Sequence, residues 1–386
     1  MKEQQQRREF DNTILILTVA LACFGVLMVY SSSSIMAAKK YHDSFYFLKR
    51  QGGFALIGLL VMAVSMRIDY HWWRRFSVPL LVLSTLLLAA VFIPGLGREA
   101  GGACRWIRIM GFSFQPSEVV KLALIFYLAH SATKKEDRLH EFKYGYVPYM
   151  VVLLVLLTLM LAQRDLGGCA TMVIVTVMML LVAGSRLRYL MLSAVTAVPL
   201  VVYFILQEDY RRRRIMAFLD PWKDPQDTGF QIIQSWLGFA VGGIKGQGLG
   251  EGMQKLFFLP EAHTDFIFSV VGEELGFVAV VIIITMFLGI VLLGLRVASH
   301  SEDGFGRLTA FGISMLFGLQ AFANMAVVMG LVPNKGLALP LVSYGGTSLL
   351  CNLFALGVLL NVSSHTLQAG QGQLSGKLAR KRKVGN

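Results

Sequence analysis

Charge is what this sequence has least of: of 386 residues only 15% are Asp, Glu, Lys or Arg, against about 25% in soluble globular proteins. With 55% hydrophobic residues and a mean hydropathy of +0.61, that scarcity excludes a soluble enzyme. Cysteine is sparse too. Cys23, Cys104, Cys169 and Cys351 lie far apart, so neither a disulfide framework nor a metal cluster is indicated. No His-Glu-x-x-His or Cys-x-x-Cys spacing is present to hold zinc. The glycine-rich run Gly242 to Gly252 lacks the Gly-Lys-Ser/Thr ending that places a lysine at a nucleotide phosphate, which argues against an ATPase. The formal charge is +13, yet no basic stretch is interleaved with stacking aromatics, so nucleic acid is not the expected partner.

What is present is a series of long apolar runs. About 20 apolar residues cross the roughly 30 Å of hydrocarbon as a helix. Ten runs meet or approach this length, at 13–31, 51–66, 76–93, 116–131, 145–162, 168–183, 189–206, 266–295, 308–330 and 341–362. The expected fold is therefore all-α and polytopic, one membrane domain over 13–362 between a short amino-terminal segment, 1–12, and a basic tail, 363–386. The first run resembles a secretory signal, but nine further spans favour an uncleaved first helix.

Basic residues set the orientation. With the amino terminus inside, 19 of the 36 Lys and Arg residues fall on the inner side, and seven of the other 17 belong to the long segment 207–265. Long segments carry little weight in the positive-inside rule, so both termini are expected in the cytoplasm. The tail with Lys377, Arg380, Lys381, Arg382 and Lys383 then faces anionic lipid headgroups or serves as a stop-transfer flank. The segment 207–265 becomes a large extracytoplasmic loop between spans seven and eight, and Phe230 to Ile244 within it reads as an interfacial or re-entrant helix.

Two outer clusters carry chemistry. Arg105, Trp106, Gln115, Ser117, Glu118 and Lys121 stand at the outer end of the fourth run, where ionisable groups are costly in lipid and mark functional candidates. Glu118 and Lys121 are three apart and able to pair on a helix, so a structural ion pair and a phosphate-binding role both stand. Arg164 and Asp165 at the next outer turn either join this cluster or anchor two helices. The second cluster is Leu259 to Phe268, which places Asp265 where a polar loop becomes a span. A helix cap would explain the residue type. Beneath it Ser269, Gly272 and Gly276 fall within about 40° of Asp265 on a helix. That stripe reads either as close helix packing or as a groove for an acyl or isoprenoid chain. One carboxylate among cations suits glycosyl transfer from a lipid diphosphate, because a diphosphate leaving group needs cations rather than a second acid. A metal is expected at most as Mg²⁺ or Mn²⁺ shared with a phosphate. His263 reads as a hydrogen-bonding loop residue rather than a second base.

Five words, Arg105-Trp106-Ile107, Phe114-Gln115-Pro116-Ser117-Glu118, Leu259 to Phe268, Gly272-Glu273-Glu274-Leu275-Gly276 and Leu339 to Ser348, occur in the order seen in the SEDS family (shape, elongation, division and sporulation). The chain resembles that family from its first run to its last. The resemblance implies ten spans and a peptidoglycan glycosyltransferase that polymerises lipid II outside the bacterial cytoplasmic membrane. It also implies a class B penicillin-binding transpeptidase and other divisome proteins as partners. Asp265 would act as general base on the acceptor GlcNAc 4-hydroxyl, with inversion at C1 of the donor sugar. Arg105, Lys121 and Lys335 match positions that the family associates with substrate handling, and Glu118, Arg164, His263 and Ser343 are further candidates for substrate binding. The words Pro333-Asn334-Lys335-Gly336 and Glu261-Ala262-His263 resemble the division branch more than the elongation branch, with the sporulation branch close behind; the septum is the expected location. Transport of lipid II across the membrane is the rival activity.

Overall fold

The computed structural model describes residues 10–100, 103–109, 112–193, 195, 209–226, 229–255, 262–333 and 336–384. Helices dominate: α1 (Asn12–Tyr41), α2 (Tyr46–Ser65), α3 (His71–Ala90), α4 (Pro116–Lys134), α5 (Val147–Ala162), α6 (Leu166–Val182), α7 (Asp209–Leu219), α8 (Phe230–Gly242), α9 (Ile267–His300), α10 (Gly304–Val328) and α11 (Gly346–Val384). Among the described residues seven segments are long and apolar enough to cross a membrane: α1, α2, α3, Phe142–Ala162, α9, α10 and Gly346–Leu367. The chain is thus a mostly helical, multi-pass membrane protein. Helices α4 and α6 coincide with two further expected runs, whereas most of 189–206 lies outside the described residues.

Helix ends follow local chemistry. Asp11 caps α1 by accepting from the amides of Thr13 and Ile14, and Asp165 caps α6 through Gly168. At the other end of α1, His42 takes a left-handed conformation (φ 55°) and turns the chain into α2. The first helix runs well beyond its expected limit because Ser31, Ser32 and Ser33 are buried: Ser32 and Ser33 bond backbone carbonyls one turn back, and Ser31 bonds a carboxylate. The last helix starts at Gly346 rather than 341, since Leu341 has φ +65° and the segment before Gly346 is a turn.

In lipid, helices associate through close packing and hydrogen bonds rather than by exclusion of water. Small residues let α11 lie along α2: a Cβ on Gly357 would meet Ser65 Oγ at 2.1 Å, and one on Gly58 would meet Leu353 at 2.4 Å. Asn361 of α11 accepts from the Tyr70 amide and donates to the Met66 carbonyl, which closes the end of α2. The opposite face of the bundle carries a feature the hydropathy reading missed. Gly97–Ala100, Ala103–Ile109 and Phe112–Phe114 form β1, β2 and β3, an antiparallel sheet in that order, with Ile107 opposite Phe114.

Gly25 shows how tightly this face is packed. A Cβ there would sit 2.2 Å from the Leu341 carbonyl oxygen and 2.7 Å from Val342 Cα, both backbone, whereas nothing lies within 4 Å at Gly52. Gly25→Ala is therefore expected to lose about 2 kcal/mol through overpacking. Gly52→Ala is expected to gain a few tenths to about 1 kcal/mol from helix propensity. Thermal melts in detergent check the opposite signs.

Candidate functional site

Asp265 lies in the turn 262–266 that leads into α9, half-buried. Its carboxylate does not cap the helix; Phe266 occupies the cap position, with no side-chain cap bond. The turn is held through its backbone. Asn324 of α10 donates to the Asp265 carbonyl (2.8 Å) and, through the same nitrogen, to the Leu337 carbonyl. Ser343 Oγ donates to the Thr264 carbonyl (2.5 Å) while accepting from the Leu339 amide (2.8 Å), and the Tyr344 amide donates to the His263 carbonyl (3.0 Å). Gln51 of α2 donates to the Ser343 carbonyl (3.2 Å). Gly336 is so close that a Cβ on it would lie 3.3 Å from Asp265 Oδ2. Asp265, His263 and Ser343 are thus brought together as expected, with Ser343 buried and acting as a strut. Lys335 lies outside the described residues.

The stripe beneath Asp265 is filled. Gly272 faces the ring of Phe239, Ser269 Oγ donates to the Ser235 carbonyl (3.0 Å), and a Cβ on Gly276 would clash with the backbone of Ile244 and Gly246. Helix packing is therefore what these small residues do. The re-entrant helix expected over 230–244 is α8. It is wedged between α9 and α10 by Ser235 Oγ and Trp236 Nε1, which donate to the Val328 and Met329 carbonyls at 2.7 and 3.1 Å.

Helix α9 is not continuous. Gly276 has φ 74° and ψ −173°, which divides a short amino-terminal half from a long carboxyl-terminal half. The glycine-rich loop enters this break: the Gln247 and Gly248 amides donate to the Glu273 and Glu274 carbonyls (3.0 and 2.9 Å), and the Phe277 amide donates to the Gly243 carbonyl (2.9 Å). The side chains complete the join. Glu273 accepts from the Met253 amide at 2.7 Å and from the Gln254 amide. Glu274, fully buried, accepts from Lys255 Nζ at 2.8 Å and Ser31 Oγ at 2.6 Å. Two acidic residues inside a span were the signal that the motif-based reading left without a role.

The Arg105 cluster also assembles. On β2, the two-residue period places Arg105 on the same face as buried Ile107. Arg105 Nε donates to the Gln163 carbonyl (3.2 Å) and Nη2 to the Arg164 carbonyl (2.5 Å). Arg164 takes φ +59°, and buried Asp165 is the helix anchor expected of it. Lys121 and Glu118 pair at 2.7 Å, with 4% and 12% of their side chains exposed. The two clusters share a link. The Thr347 hydroxyl donates to the Ser113 carbonyl (3.3 Å) and accepts from the Gln115 amide (3.2 Å), four residues beyond Ser343. Ser348 and Asn352 bond each other within α11.

Beside these clusters lies an apolar cavity of about 420 Å³, lined by residues of α6, α9 and α10 together with Val332 and Leu337. Leu337 is the residue whose carbonyl shares Asn324 with Asp265, so the cavity approaches the Asp265 turn. Among the described residues no group of three or more His, Cys, Asp or Glu side chains is placed to hold a metal.

Comparison with known proteins gives a consistent result. A family profile described as "Cell cycle protein" (FTSW_RODA_SPOVE) matches residues 12–368. A Geobacter sulfurreducens protein named probable peptidoglycan glycosyltransferase FtsW is 59% identical over 92% of this chain and 95% of its own. The stage V sporulation protein E of Bacillus subtilis is 41% identical over 92% and 97%. Among solved structures, a chain of a peptidoglycan synthase complex that coordinates polymerization and crosslinking matches with TM-score 0.76 and 30% identity, over 93% of this chain and 99% of that one.

The Lys255–Glu274 pair generates a testable coupling. Lys255→Met leaves a buried carboxylate without its cation and is expected to cost about 3 kcal/mol. Adding Glu274→Gln is expected to restore part of that loss, so the two changes are non-additive in a double-mutant cycle of thermal stability. Additive losses would show the pair to be uncoupled.

Proposed function

The chain belongs to this FtsW/RodA/SpoVE family of cell cycle proteins, and from that premise we propose that it polymerises lipid II into peptidoglycan glycan strands during septal wall synthesis. The observation that carries the reading is Asp265: a half-buried carboxylate at the head of a membrane helix, not used as a cap, on a turn fixed by Asn324, Ser343 and Tyr344.

In this reading ionised Asp265 takes the proton from the 4-hydroxyl of an acceptor GlcNAc. The hydroxyl oxygen forms its bond to C1 of a MurNAc as the bond from C1 to the undecaprenyl diphosphate breaks, with inversion, and the electron pair leaves on the diphosphate. General-base assistance is worth roughly 10²- to 10⁴-fold. Arg105, Lys121, Arg164 and Lys335 supply positive charge for the leaving diphosphate. Glu118 holds Lys121 in place until phosphate competes for it, and His263 and Ser343 keep the turn in register. The apolar cavity beside α10 suits the polyprenyl chain. A Mg²⁺ or Mn²⁺ ion belongs to the reading only as a counter-ion carried in with the diphosphate.

The same reading places ten spans in the bacterial inner membrane, with both termini cytoplasmic, 207–265 as the large extracytoplasmic loop and the division septum as the site of work. A class B penicillin-binding transpeptidase is the proposed partner, since the similar synthase complex couples polymerization to crosslinking.

Purified protein given labelled lipid II, with and without a cognate transpeptidase, tests this. Wild type is expected to make polymer, more with the partner than without, and Asp265→Ala and Asp265→Asn are expected to lose about 100-fold or more of the rate. Undiminished polymerisation by either variant would reject the assignment.

A further inference from the structure

The tips of α1 and α2 carry an aromatic ladder that the reaction as described does not use. The Tyr41 and Tyr46 rings stack at 4.0 Å with 6° between their planes. Phe47, buried, stands edge-on to Tyr46 at 5.2 Å and touches the rings of His263 and Tyr344, each at 4.9 Å. The ladder therefore ends two residues before Asp265, on the segment whose carbonyl accepts from the Tyr344 amide.

Two cations ride on this ladder: Lys40 Nζ lies 5.6 Å from the centre of the Tyr41 ring, and Arg50 sits nearer the Asp265 turn. Arg50 is exposed; its guanidinium lies 4.7 Å from the centre of the Tyr46 ring and within interaction range of the Tyr344 hydroxyl. Its neighbour Lys49 is already engaged at 2.8 Å by Asp43, whose carboxyl it holds below the usual carboxylate range. Among the described residues Arg50 has no carboxylate partner. An Arg with stacked faces and a free edge retains donors for a bidentate carboxylate bond, and tyrosines offer rigid, amphipathic faces at low entropic cost. The ligand matching both properties is a chain of sugars, whose C–H faces stack on rings, bearing peptides that end in carboxylates.

We propose that Tyr41, Tyr46, Arg50 and Tyr344 form a binding surface for the peptide-bearing glycan strand beside Asp265. This rests on the polymerase reading and adds a place for the polymer to it. Such a surface keeps the strand near the site between additions, so its loss shortens the product. The alternative is an interfacial belt, in which tyrosine and arginine only anchor the helix tips in the headgroup region.

The test uses the full chain in lipid nanodiscs, in an Asp265→Asn background so that binding is read without turnover. The probes are soluble uncrosslinked glycan oligomers with intact stem peptides, and the same oligomers stripped of peptides. Arg50→Ala is expected to weaken the peptide-bearing oligomers about tenfold and the stripped ones little, as loss of one charge-assisted bond requires. Tyr46→Ala is expected to weaken both about threefold to tenfold. In the Asp265 parent with its transpeptidase, both variants are expected to shorten the glycan strands, Arg50→Lys less so, and Lys49→Ala to leave their length unchanged. Oligomer binding and strand length equal to the parent in Arg50→Ala and Tyr46→Ala would overturn the proposal, and lowered melting temperature with unchanged binding would establish the belt instead. A parent chain that binds oligomers but leaves lipid II unpolymerised would sink the polymerase reading while supporting the surface.

Discussion

A break inside a membrane-spanning helix must be sealed by neighbouring protein, and the rest of this structure depends on how the break in α9 at Gly276 is sealed. The break gives the amino-terminal half of α9 its own carboxyl end, whose Glu273 and Glu274 carbonyls accept amides from the glycine-rich loop. Inside a bilayer an irregular backbone is tolerated only where protein satisfies it, and the loop and the helix satisfy each other. Each glycine is required by contact rather than by flexibility: Gly246 and Gly276 meet backbone to backbone, and both have positive φ.

The ion pairs divide the work by depth. Lys255 and Glu274 are buried to 4% and 0% exposure, with Ser31 and the Gly250 carbonyl taking further bonds. Such a pair gives register rather than net stability, because desolvation offsets most of the attraction. Lys121 and Glu118 are a looser case, with 12% of the carboxylate exposed. A lysine held by one carboxylate, with two further donors, can turn to a phosphate; Arg105, which gives two of its five N–H groups to backbone carbonyls, braces the Gln163–Arg164 turn and keeps three donors.

Much of this was legible in the sequence. Apolar runs locate the helices because lipid leaves the backbone no alternative, and the three-residue spacing of Glu118 and Lys121 foretells their pair. Asp265 stands out by its place at the border of a run. The stripe Ser269, Gly272 and Gly276 was visible, but spacing alone cannot tell a groove from a contact; that depends on what lies opposite, and Phe239 and Gly246 come from a loop tens of residues away. The sheet over 97–114 was hidden because strands of three to seven residues give no signal in a window wide enough to find spans. The break at Gly276 was marked only by the acidic pair Glu273 and Glu274 just before it, to which the motifs gave no role.

The apolar cavity bears on the choice between polymerase and transporter. Moving lipid II across the bilayer requires a path for two sugars, a peptide and a diphosphate, and such a path needs polar or charged lining at mid-membrane depth. The cavity beside α10 has the opposite character: apart from Thr171 and Ser314 its lining is apolar side chains and glycine. Such a lining suits hydrocarbon better than a charged headgroup. Asp265, Arg105, Glu118 and Lys121 lie instead around the turns at the heads of α9 and α4 and the end of α5. That separation of an apolar berth from a charged rim is what a reaction on a lipid-linked sugar demands, because the leaving group keeps its tail in the bilayer while its diphosphate gains charge at the boundary.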